Sequence, residues 1–262
     1  MPRKVLVTGG AGGIATAFKK YSEGRFEISS LDKVEVDGIP SQVADMAVLG
    51  DILPAFKDID NVVHLGADHN PQSPWDSVLN NNIVATHNVF EAAQQSDVKR
   101  VVFASSNHTV GSHYKNTEPF RSILDGNLNP VSAEIPVISK DVIRPCCLYG
   151  VSKVFGEAIA SYYHDIHGLS CICIRIGGIS RENRSDQSTS NLVLWLSHRD
   201  ASQLISKCIE APETVGFEIV YGTSNNDLRF GELDTAKNVL GYSPQDNAGS
   251  NVHDQLPRTH LH

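Results

Sequence analysis

The segment KVLVTGGAGGIA, residues 4–15, decides the fold of this chain. Its apolar first half has the composition of a buried strand, and the glycine-rich turn that follows opens a helix. Gly9, Gly12 and Ala15 follow the spacing G-x-x-G-x-x-A, so the backbone can approach a pyrophosphate and the helix can pack closely on the strand. Many turns use glycine only for its positive φ, so this turn alone is a weak signal.

The same alternation of strand and helix patterns continues along the chain. Apolar runs rich in β-branched residues predict strands at 4–9, 26–32, 61–66, 100–106 and 169–178. Helical patterns lie near 13–22, 46–57, 75–95 and 148–167. This alternation predicts an α/β fold, a Rossmann doubly wound parallel sheet with helices on both faces and a small C-terminal substrate-binding portion. We expect one domain over residues 1–262, with substrate-side elements from about 111–147 and 178–262.

Composition narrows the choice of partner. The 262 residues include 30 acidic and 22 basic side chains, a formal charge of -8, which argues against a nucleic-acid or anionic-membrane surface. A small-molecule partner is therefore expected. The sequence shows neither a signal-peptide core nor a run of 18 apolar residues, and we expect a cytoplasmic protein.

The five cysteines predict neither disulfides nor a metal site. They include no CxxC pair, and their number is odd in a chain without an export signal. Cys171 and Cys173 alternate with isoleucine in SCICIRI, a pattern typical of one face of a buried strand. His164 and His167 form an HxxH pair without the glutamate of a zinc protease motif, which favours packing or a dimer face. We therefore assign no metal ligands.

Residues at the predicted strand ends extend the dinucleotide site. Asp32 ends the second strand 20 residues beyond Gly12, where a carboxylate can accept hydrogen bonds from both ribose hydroxyls and repel a 2′-phosphate. This position favours NAD over NADP, and the alternative that Asp32 merely caps a turn stays open. Asp45 is expected to end the third strand. Further contacts to the cofactor are predicted at Gly9, Gly13, Ile14, Met46, Leu65, Gly66 and Ala67.

A tyrosine and a lysine form the candidate catalytic pair. In YGVSK, Tyr149 and Lys153 are four residues apart, so their side chains share one face of a helix. A nearby ammonium should lower the pKa of the phenol, which is near 10 in isolation, so that the tyrosine can act as a base. The spacing also occurs by chance in many helices. Its catalytic interpretation is strengthened by Ser106, which RVVFASSNHT places at the carboxyl end of a strand.

Polar residues around this pair complete the predicted site. Ser106 is expected to polarise the reacting oxygen, and Asn107 and His108 are expected to contact the substrate. Most of the 11 histidines are expected on the surface or in packing, and this alternative stays open for His108. Asn82, in LNNNIVATHN, is expected to orient the proton relay or the cofactor, although two further asparagines precede it.

Five motifs follow one another along the chain: TGGAGGIA, VVHLGA, FASSNHT, YGVSK and RIGG. In these motifs and their order, the chain resembles the extended short-chain dehydrogenase/reductase superfamily, which includes the NAD-dependent epimerases and dehydratases. Over roughly residues 3–248, the longer segments FASSNHTVG, LYGVSKVFGE and WLSHRD are most similar to the NAD-dependent glucose-6-phosphate dehydrogenases and the uronate dehydrogenases. The resemblance implies oxidation of the anomeric hydroxyl of a cyclic sugar to a lactone, with NAD as cofactor.

The resemblance also implies roles for individual residues. It assigns the general base to Tyr149 and its electrostatic partner to Lys153, which would also hold the nicotinamide ribose. Contacts to the sugar or the nicotinamide are implied at Ser106, Asn107, His108, Gly178 and Ile179. The family further implies a homodimer in which helices near 75–95 and 148–167 pair across a twofold axis.

The sequence departs from the uronate pattern in the loop after RIGG. In the uronate dehydrogenase pattern, a serine occupies the position of Gly178. An arginine that binds the carboxylate belongs near the position of Ser190. This departure favours glucose 6-phosphate or a related hexose over a hexuronate. Arg181 and Arg184 lie in the same loop. Either could bind a carboxylate or phosphate of the substrate from a different position in that loop, and we name Arg184 as a candidate substrate contact.

Two other functions fit the same motifs. A nucleotide-sugar epimerase or dehydratase shares the fold, the tyrosine–lysine pair and NAD, but the segment after Gly178 is short for a nucleotide-sugar site. A non-catalytic NAD-binding regulatory protein shares the fold alone, and the retained tyrosine and lysine argue against it.

Overall fold

Seven parallel strands form the sheet in the computed structural model, which describes residues 2–127, 135–185, 188 and 190–249. The strand order is β3-β2-β1-β4-β5-β6-β7, and this doubly wound order confirms the predicted Rossmann fold. The strands are β1 Arg3–Thr8, β2 Phe26–Asp32, β3 Ser41–Val43, β4 Asn61–His64, β5 Arg100–Ser106, β6 Ser170–Ile176 and β7 Phe217–Gly222. Residues 128–134 and 250–262, which belong to the predicted substrate-side elements, lie outside the described residues.

Helices cover both faces of this sheet. They are α1 Gly13–Tyr21, α2 Leu49–Ile52, α3 Trp75–Val78, α4 Ala85–Gln95, α5 Gly111–Asn116, α6 Phe120–Leu124, α7 Leu148–His167, α8 Asn191–Leu194, α9 His198–Glu210 and α10 Asp234–Leu240. A π-helical turn, Leu79–Val84, joins α3 to α4. Two 3₁₀ turns, Leu53–Phe56 and Asn107–Val110, follow α2 and β5.

The hydrophobic core has two layers because side chains of a strand alternate between its faces. Val5 and Val7 of β1 pack in one layer, where α1 and α9 cover the sheet. Leu6 points into the other layer, which α4 and the C-terminal half of α7 cover. Both faces of the sheet are therefore buried, as the continuous apolar runs in the sequence predict.

Several element boundaries differ from the predictions. β4 ends at His64 and β6 at Ile176, two residues sooner than predicted, so the residues that follow leave the sheet at its carboxyl edge. The predicted helix 46–57 is reduced to α2 and its 3₁₀ turn. The segment 111–147, predicted only as a substrate-side element, contains the short helices α5 and α6. The predicted strands also did not include β7.

In the described part of the chain, no helix is both long enough and apolar enough to cross a membrane.

Candidate active site

A cavity of about 970 Å³ runs along the carboxyl edge of the sheet, where the strand order changes direction between β1 and β4. Most of the predicted cofactor and substrate residues line it. These are Gly9, Gly12, Gly13, Ile14, Asp32, Asp45, Met46, Leu65, Gly66, Ala67, Ser106, Asn107, His108, Tyr149, Lys153, Gly178 and Ile179. Asn82 and Arg184 are not among its lining residues.

The glycine-rich turn after β1 is shaped by close backbone contact. Gly9 has a φ of +70°, and a Cβ there would lie 2.7 Å from the Cα of Gly66. Gly12 is the N-cap residue of α1 and has no side chain to satisfy the first amides of the helix. A Cβ on Gly13 would meet nothing within 4 Å. The turn therefore leaves the N-terminus of α1 accessible to an anionic group in the cavity.

Carboxylates and a lysine line the opposite end of this turn. Asp32 accepts a hydrogen bond of 3.0 Å from the Ala11 amide, so it caps the turn and lines the cavity at the same time. Lys33, 3.1 Å from the Asp45 carboxylate, also donates to Asn81 Oδ1 at 2.8 Å. Asp45 lies two residues beyond β3, and a hydrogen bond from the amide of Ala47 is the main cause that holds its pKa below the ordinary value.

These features fit a dinucleotide. Doubly wound folds hold pyrophosphate at a glycine turn and a helix N-terminus, and ribose at a carboxylate after the second strand. This chain has all three: a turn that a Cβ at Gly9 would block, the N-terminus of α1 and Asp32 at the end of β2. Gly9, Gly12 and Gly13 would hold the pyrophosphate, and Asp32 the adenosine ribose. Asn81, one of the two asparagines that the sequence left open as alternatives to Asn82, lines the cavity, and so does Lys33, which was not predicted although it stands next to Asp32.

The candidate catalytic residues meet at the other end of the cavity. Ser106, at the end of β5, and Tyr149, in the first turn of α7, both line the cavity, and Ser106 Oγ donates to Asn107 Oδ1 at 3.1 Å. The Lys153 ammonium is buried, 4.9 Å from the centre of the Phe103 ring and 5.6 Å from that of Tyr149. His108 packs edge-on against Tyr149, with ring centroids 5.4 Å apart. The arrangement can bind a hydroxyl group and take up its proton.

Burial dominates the acid–base properties of this pair. It raises the pKa of Tyr149 to about 12, against the hydrogen bond from Ser106, which lowers it. It lowers the pKa of Lys153 to about 7. The expected lowering of the phenol pKa is therefore not met, because desolvation is the largest influence on Tyr149 and raises its pKa. Desolvation also lowers the pKa of His108.

Asn82 holds the framework of the site and does not line its cavity. Its Oδ1 accepts from the Asp68 amide at 2.7 Å, and its Nδ2 donates to the Asp68 carbonyl at 3.0 Å and to Ser152 Oγ at 2.9 Å. Ser152 in turn donates to the carbonyl oxygen of Tyr149 at 2.7 Å. The π-helical turn that contains Asn82 thus ties the segment after β4 to the catalytic helix.

A buried ion pair beneath the site was missed in the sequence analysis. Glu157 accepts from Arg175 Nε at 2.8 Å and Nη2 at 2.9 Å, and Ser105 Oγ donates to it at 2.5 Å. Arg175 also donates to the Tyr221 hydroxyl at 3.1 Å. Glu157 continues the four-residue spacing of Tyr149 and Lys153, and this spacing was the available signal. The pair fixes α7 against β5 and β6.

A second cluster missed in the sequence analysis lies beside His108. The sulfurs of Cys146 and Cys147 are 3.3 Å and 3.4 Å from its Nδ1. These two cysteines lack the CxxC spacing that signals paired ligands, since they are adjacent to one another and far from the histidine in sequence.

The loop after β6 closes the substrate end of the cavity. Gly178, Ile179 and Arg181 line this end. Arg184, predicted to contact substrate, is not among the lining residues, and its amide and carbonyl both hydrogen bond to Ser180 Oγ, at 2.7 Å and 3.0 Å. Of the two candidate arginines, the cavity is lined by Arg181.

Fold and site define an NAD-dependent oxidoreductase of the extended short-chain dehydrogenase/reductase type. Residues 5–203 match the NAD dependent epimerase/dehydratase family, and the chain belongs to this family. Its cofactor is NAD.

Individual relatives are similar over nearly the whole chain. NAD-dependent glucose-6-phosphate dehydrogenase of Haloferax volcanii is 36% identical over 266 residues, with 95% of each chain covered. The L-arabinose 1-dehydrogenase (NAD(P)(+)) of the same organism is 33% identical over 258 residues, which cover 95% of this chain and 99% of the relative. A crystal structure of a uronate dehydrogenase mutant from Agrobacterium tumefaciens complexed with NAD matches with a TM-score of 0.77 and 29% identity, covering 95% and 86% of the two chains.

Proposed function

We propose that this enzyme oxidises the anomeric hydroxyl of a hexose derivative to the lactone, with glucose 6-phosphate or a related hexose favoured and a hexuronate next. The observation that carries the proposal is the placement of Ser106 and Tyr149 beside the buried Lys153, at the substrate end of a cavity whose other end fits NAD. The relatives are named as sugar dehydrogenases, one of them for position 1 of its sugar.

Proton transfer is the task of Tyr149. Its phenolic oxygen takes the proton of the sugar hydroxyl, while Ser106 donates a hydrogen bond to the same sugar oxygen. Protonated Lys153 stabilises the phenolate that the base requires. When bound, NAD supplies the acceptor for the hydrogen that leaves carbon 1 with its electron pair, and a positive charge near the phenol.

Sugar recognition is assigned to the residues around the reacting oxygen. Asn107 and His108 line the cavity beside Ser106 and can hydrogen bond to ring hydroxyls. Arg181, at the cavity wall beyond Gly178 and Ile179, places a guanidinium where a phosphate or carboxylate of the sugar can reach it.

The proposal is tested by measuring whether the enzyme oxidises any of a panel of sugars. Purified protein is incubated with NAD or NADP and with glucose, galactose, glucose 6-phosphate, glucuronate or galacturonate, and the absorbance of reduced nicotinamide is followed. We expect NAD-linked turnover, fastest with glucose 6-phosphate. Arg181→Ala should raise KM for glucose 6-phosphate more than for glucose, whereas Arg199→Ala, on the exposed side of α9, should change neither.

The same assay distinguishes the alternatives. Tight NAD binding with no net reduction by any sugar would favour a nucleotide-sugar epimerase or dehydratase, because such an enzyme returns the hydrogen it removes. Turnover of neither the sugars nor a nucleotide sugar would favour a non-catalytic NAD-binding regulatory protein.

We also infer that the enzyme is a homodimer. On α7, the side chains of Val151, Phe155, Tyr162 and Ile166 fall within about 60° of one another around the helix axis. Tyr162 is 52% and Ile166 63% exposed, which is unusual for large apolar side chains on one stripe. Pairing this stripe with its copy across a twofold axis would bury it.

A further inference from the structure

The sulfurs of Cys146 and Cys147 and the Nδ1 of His108 form a cluster that the proposed reaction does not use. The two sulfurs are 4.0 Å apart and lie 3.3 Å and 3.4 Å from the nitrogen. Among the described residues, no other three histidine, cysteine or carboxylate side chains bring their ligand atoms within 4.8 Å of one another. The remaining cysteines, Cys171, Cys173 and Cys208, are fully buried elsewhere, whereas these two are partly exposed.

These separations match those around a tetrahedral zinc ion. Zinc–sulfur bonds of about 2.3 Å and zinc–nitrogen bonds of about 2.0 Å place two sulfurs about 3.8 Å apart and a sulfur and a nitrogen about 3.5 Å apart. Each separation in the cluster differs from these values by about 0.2 Å or less. A cation could therefore enter without a large rearrangement of the three side chains.

The backbone around the cluster holds its ligands in place. The amide of Arg144 donates to the Thr109 carbonyl at 2.9 Å, and that of Cys146 donates to the His108 carbonyl at 3.3 Å. The Ser112 amide donates to the Arg144 carbonyl at 2.8 Å. These bonds join the turn after β5 to the segment before α7, so the ligands are organised before any ion arrives.

Two glycines make room for the cluster, Gly111 beside Cys146 and Gly150 beside His108. A Cβ on Gly111 would lie 2.3 Å from Cys146 Sγ, so no other residue could stand there while the sulfur keeps its place. Cys147 is the N-cap residue of α7, and its sulfur accepts from the Gly150 amide at 3.3 Å. A Cβ on Gly150 would lie 2.5 Å from the His108 carbonyl oxygen.

We propose that His108, Cys146 and Cys147 form a binding site for one thiophilic divalent cation of the zinc and cadmium type. Each thiol releases its proton to solvent as its sulfur binds, so two thiolates balance the two positive charges of the ion, and His108 binds as the neutral imidazole. Three protein ligands leave a fourth coordination position for water. The site adjoins the sugar site, because His108 also packs on Tyr149.

Cadmium titration tests the site independently of enzyme activity. The full-length protein is titrated with Cd²⁺, and binding is followed by the ultraviolet charge-transfer absorption between thiolate and cadmium and by isothermal titration calorimetry. We expect one ion per chain, displacement by excess Zn²⁺ and protection of two thiols from a thiol-reactive dye. Each of C146S, C147S and H108N should weaken binding at least about 100-fold, because loss of supporting outer-shell partners alone costs 10–100-fold.

Cys208→Ser is the matched control, since it removes a buried thiol of α9 and should leave the charge-transfer absorption unchanged. Retained NAD binding by each variant shows that it is folded. Absence of the absorption in the wild-type protein, or its persistence in the C146S/C147S double variant, would overturn the proposal.

Discussion

Burial shifts the acid–base properties of Tyr149 and Lys153, the two groups to which we assign proton transfer in the proposed reaction. Desolvation raises the pKa of the phenol to about 12 and lowers that of the amine to about 7, so both shifts favour the neutral forms. The phenolate is therefore scarce in the unliganded protein. A positive charge brought close to Tyr149 is needed to make it a base, and bound oxidised NAD provides one. Binding of the cofactor should thus precede formation of the phenolate.

Removal of the phenolic hydroxyl should separate catalysis from binding. In Tyr149→Phe we expect kcat to fall by roughly 10²–10⁴-fold, the range that general acid–base catalysis contributes. NAD affinity and urea stability should stay near the wild-type values, because the ring and its contact with His108 remain. Tyr162→Phe, on the exposed stripe of the same helix, is the control and should retain activity. Equal loss of activity in both variants would contradict the assignment.

The lowered pKa of Lys153 makes a prediction about stability and pH. Its folded pKa, about 7, lies below the ordinary value of 10.5, so between these pH values the unfolded chain binds more protons than the folded one. The contribution of Lys153 to stability must therefore rise as the pH rises through this window. From pH 7 to pH 9 we expect the unfolding free energy of the unliganded wild type to rise by about 2 kcal/mol relative to Lys153→Met. Urea unfolding of both proteins at the two pH values measures this difference, and parallel pH profiles would contradict it.

At the scale of elements, α7 positions the site because it is fixed along its length. Its first turn is tied to the π-helical turn through Ser152 and Asn82, and its middle to β5 and β6 through Glu157 and Arg175. Between these contacts, Gly156 lets the helix approach β5. A Cβ there would lie 2.1 Å from the ring of Phe103, which also faces Lys153.

Substitution of Gly156 should move the helix and the site together. The Phe103 ring packs between α7 and Phe90, with ring centroids 6.2 Å apart, so it has little freedom to yield to a new methyl group. We expect Gly156→Ala to destabilise the protein by about 1–3 kcal/mol and to lower kcat. Gly50→Ala in α2, where a Cβ meets nothing within 4 Å, should be neutral or slightly stabilising. Urea unfolding and initial rates measure both effects, and equal stability of the two variants would contradict the packing argument.

The elements that could be predicted from the sequence are those with local signals. β1, β2 and β5 are apolar runs bounded by turns, and α7 has a long periodic pattern ended by Gly168 in the left-handed conformation. The π-helical turn was not predicted, because the contacts of Asn82 that accompany it come from segments distant in sequence. The local pattern of 75–95 is that of one continuous helix.

The residues of the candidate site likewise divide into those with a local sequence signal and those without one. Residues such as Asp32 and Ser106 could be predicted because the carboxyl ends of parallel strands meet at one edge. The spacing of Glu157 from Lys153 was a local signal, but its ion pair with Arg175 and the contact of the two adjacent cysteines with His108 could not be predicted, since these partners belong to other elements. The raised pKa of Tyr149 could not be predicted either, because it depends on burial of the side chain, which the local sequence pattern does not indicate.

At the scale of the molecule, α7, which carries the proposed catalytic pair, has one face at the cavity and another on the surface. One face presents Tyr149 and Lys153 to the cavity, and the other exposes the stripe that includes Tyr162 and Ile166. A dimer through this stripe would hold two active sites on opposite sides of one helical layer. It would stabilise α7 in each protomer at a distance from the chemistry, and dissociation should therefore lower stability more than it changes substrate binding.

A charge in the stripe tests this arrangement. In Ile166→Glu the carboxylate would face its own copy near the twofold axis and would be costly to bury there, so we expect the protein to become monomeric. Sedimentation velocity at several concentrations measures the change, and thermal unfolding should show a lower Tm because dimer formation stabilises the folded state by mass action. Tyr21→Glu, which alters a 46% exposed aromatic residue at the end of α1, should leave the assembly intact. A wild-type protein that sediments as a monomer, or a variant that still sediments as a dimer, would show that the stripe has another role.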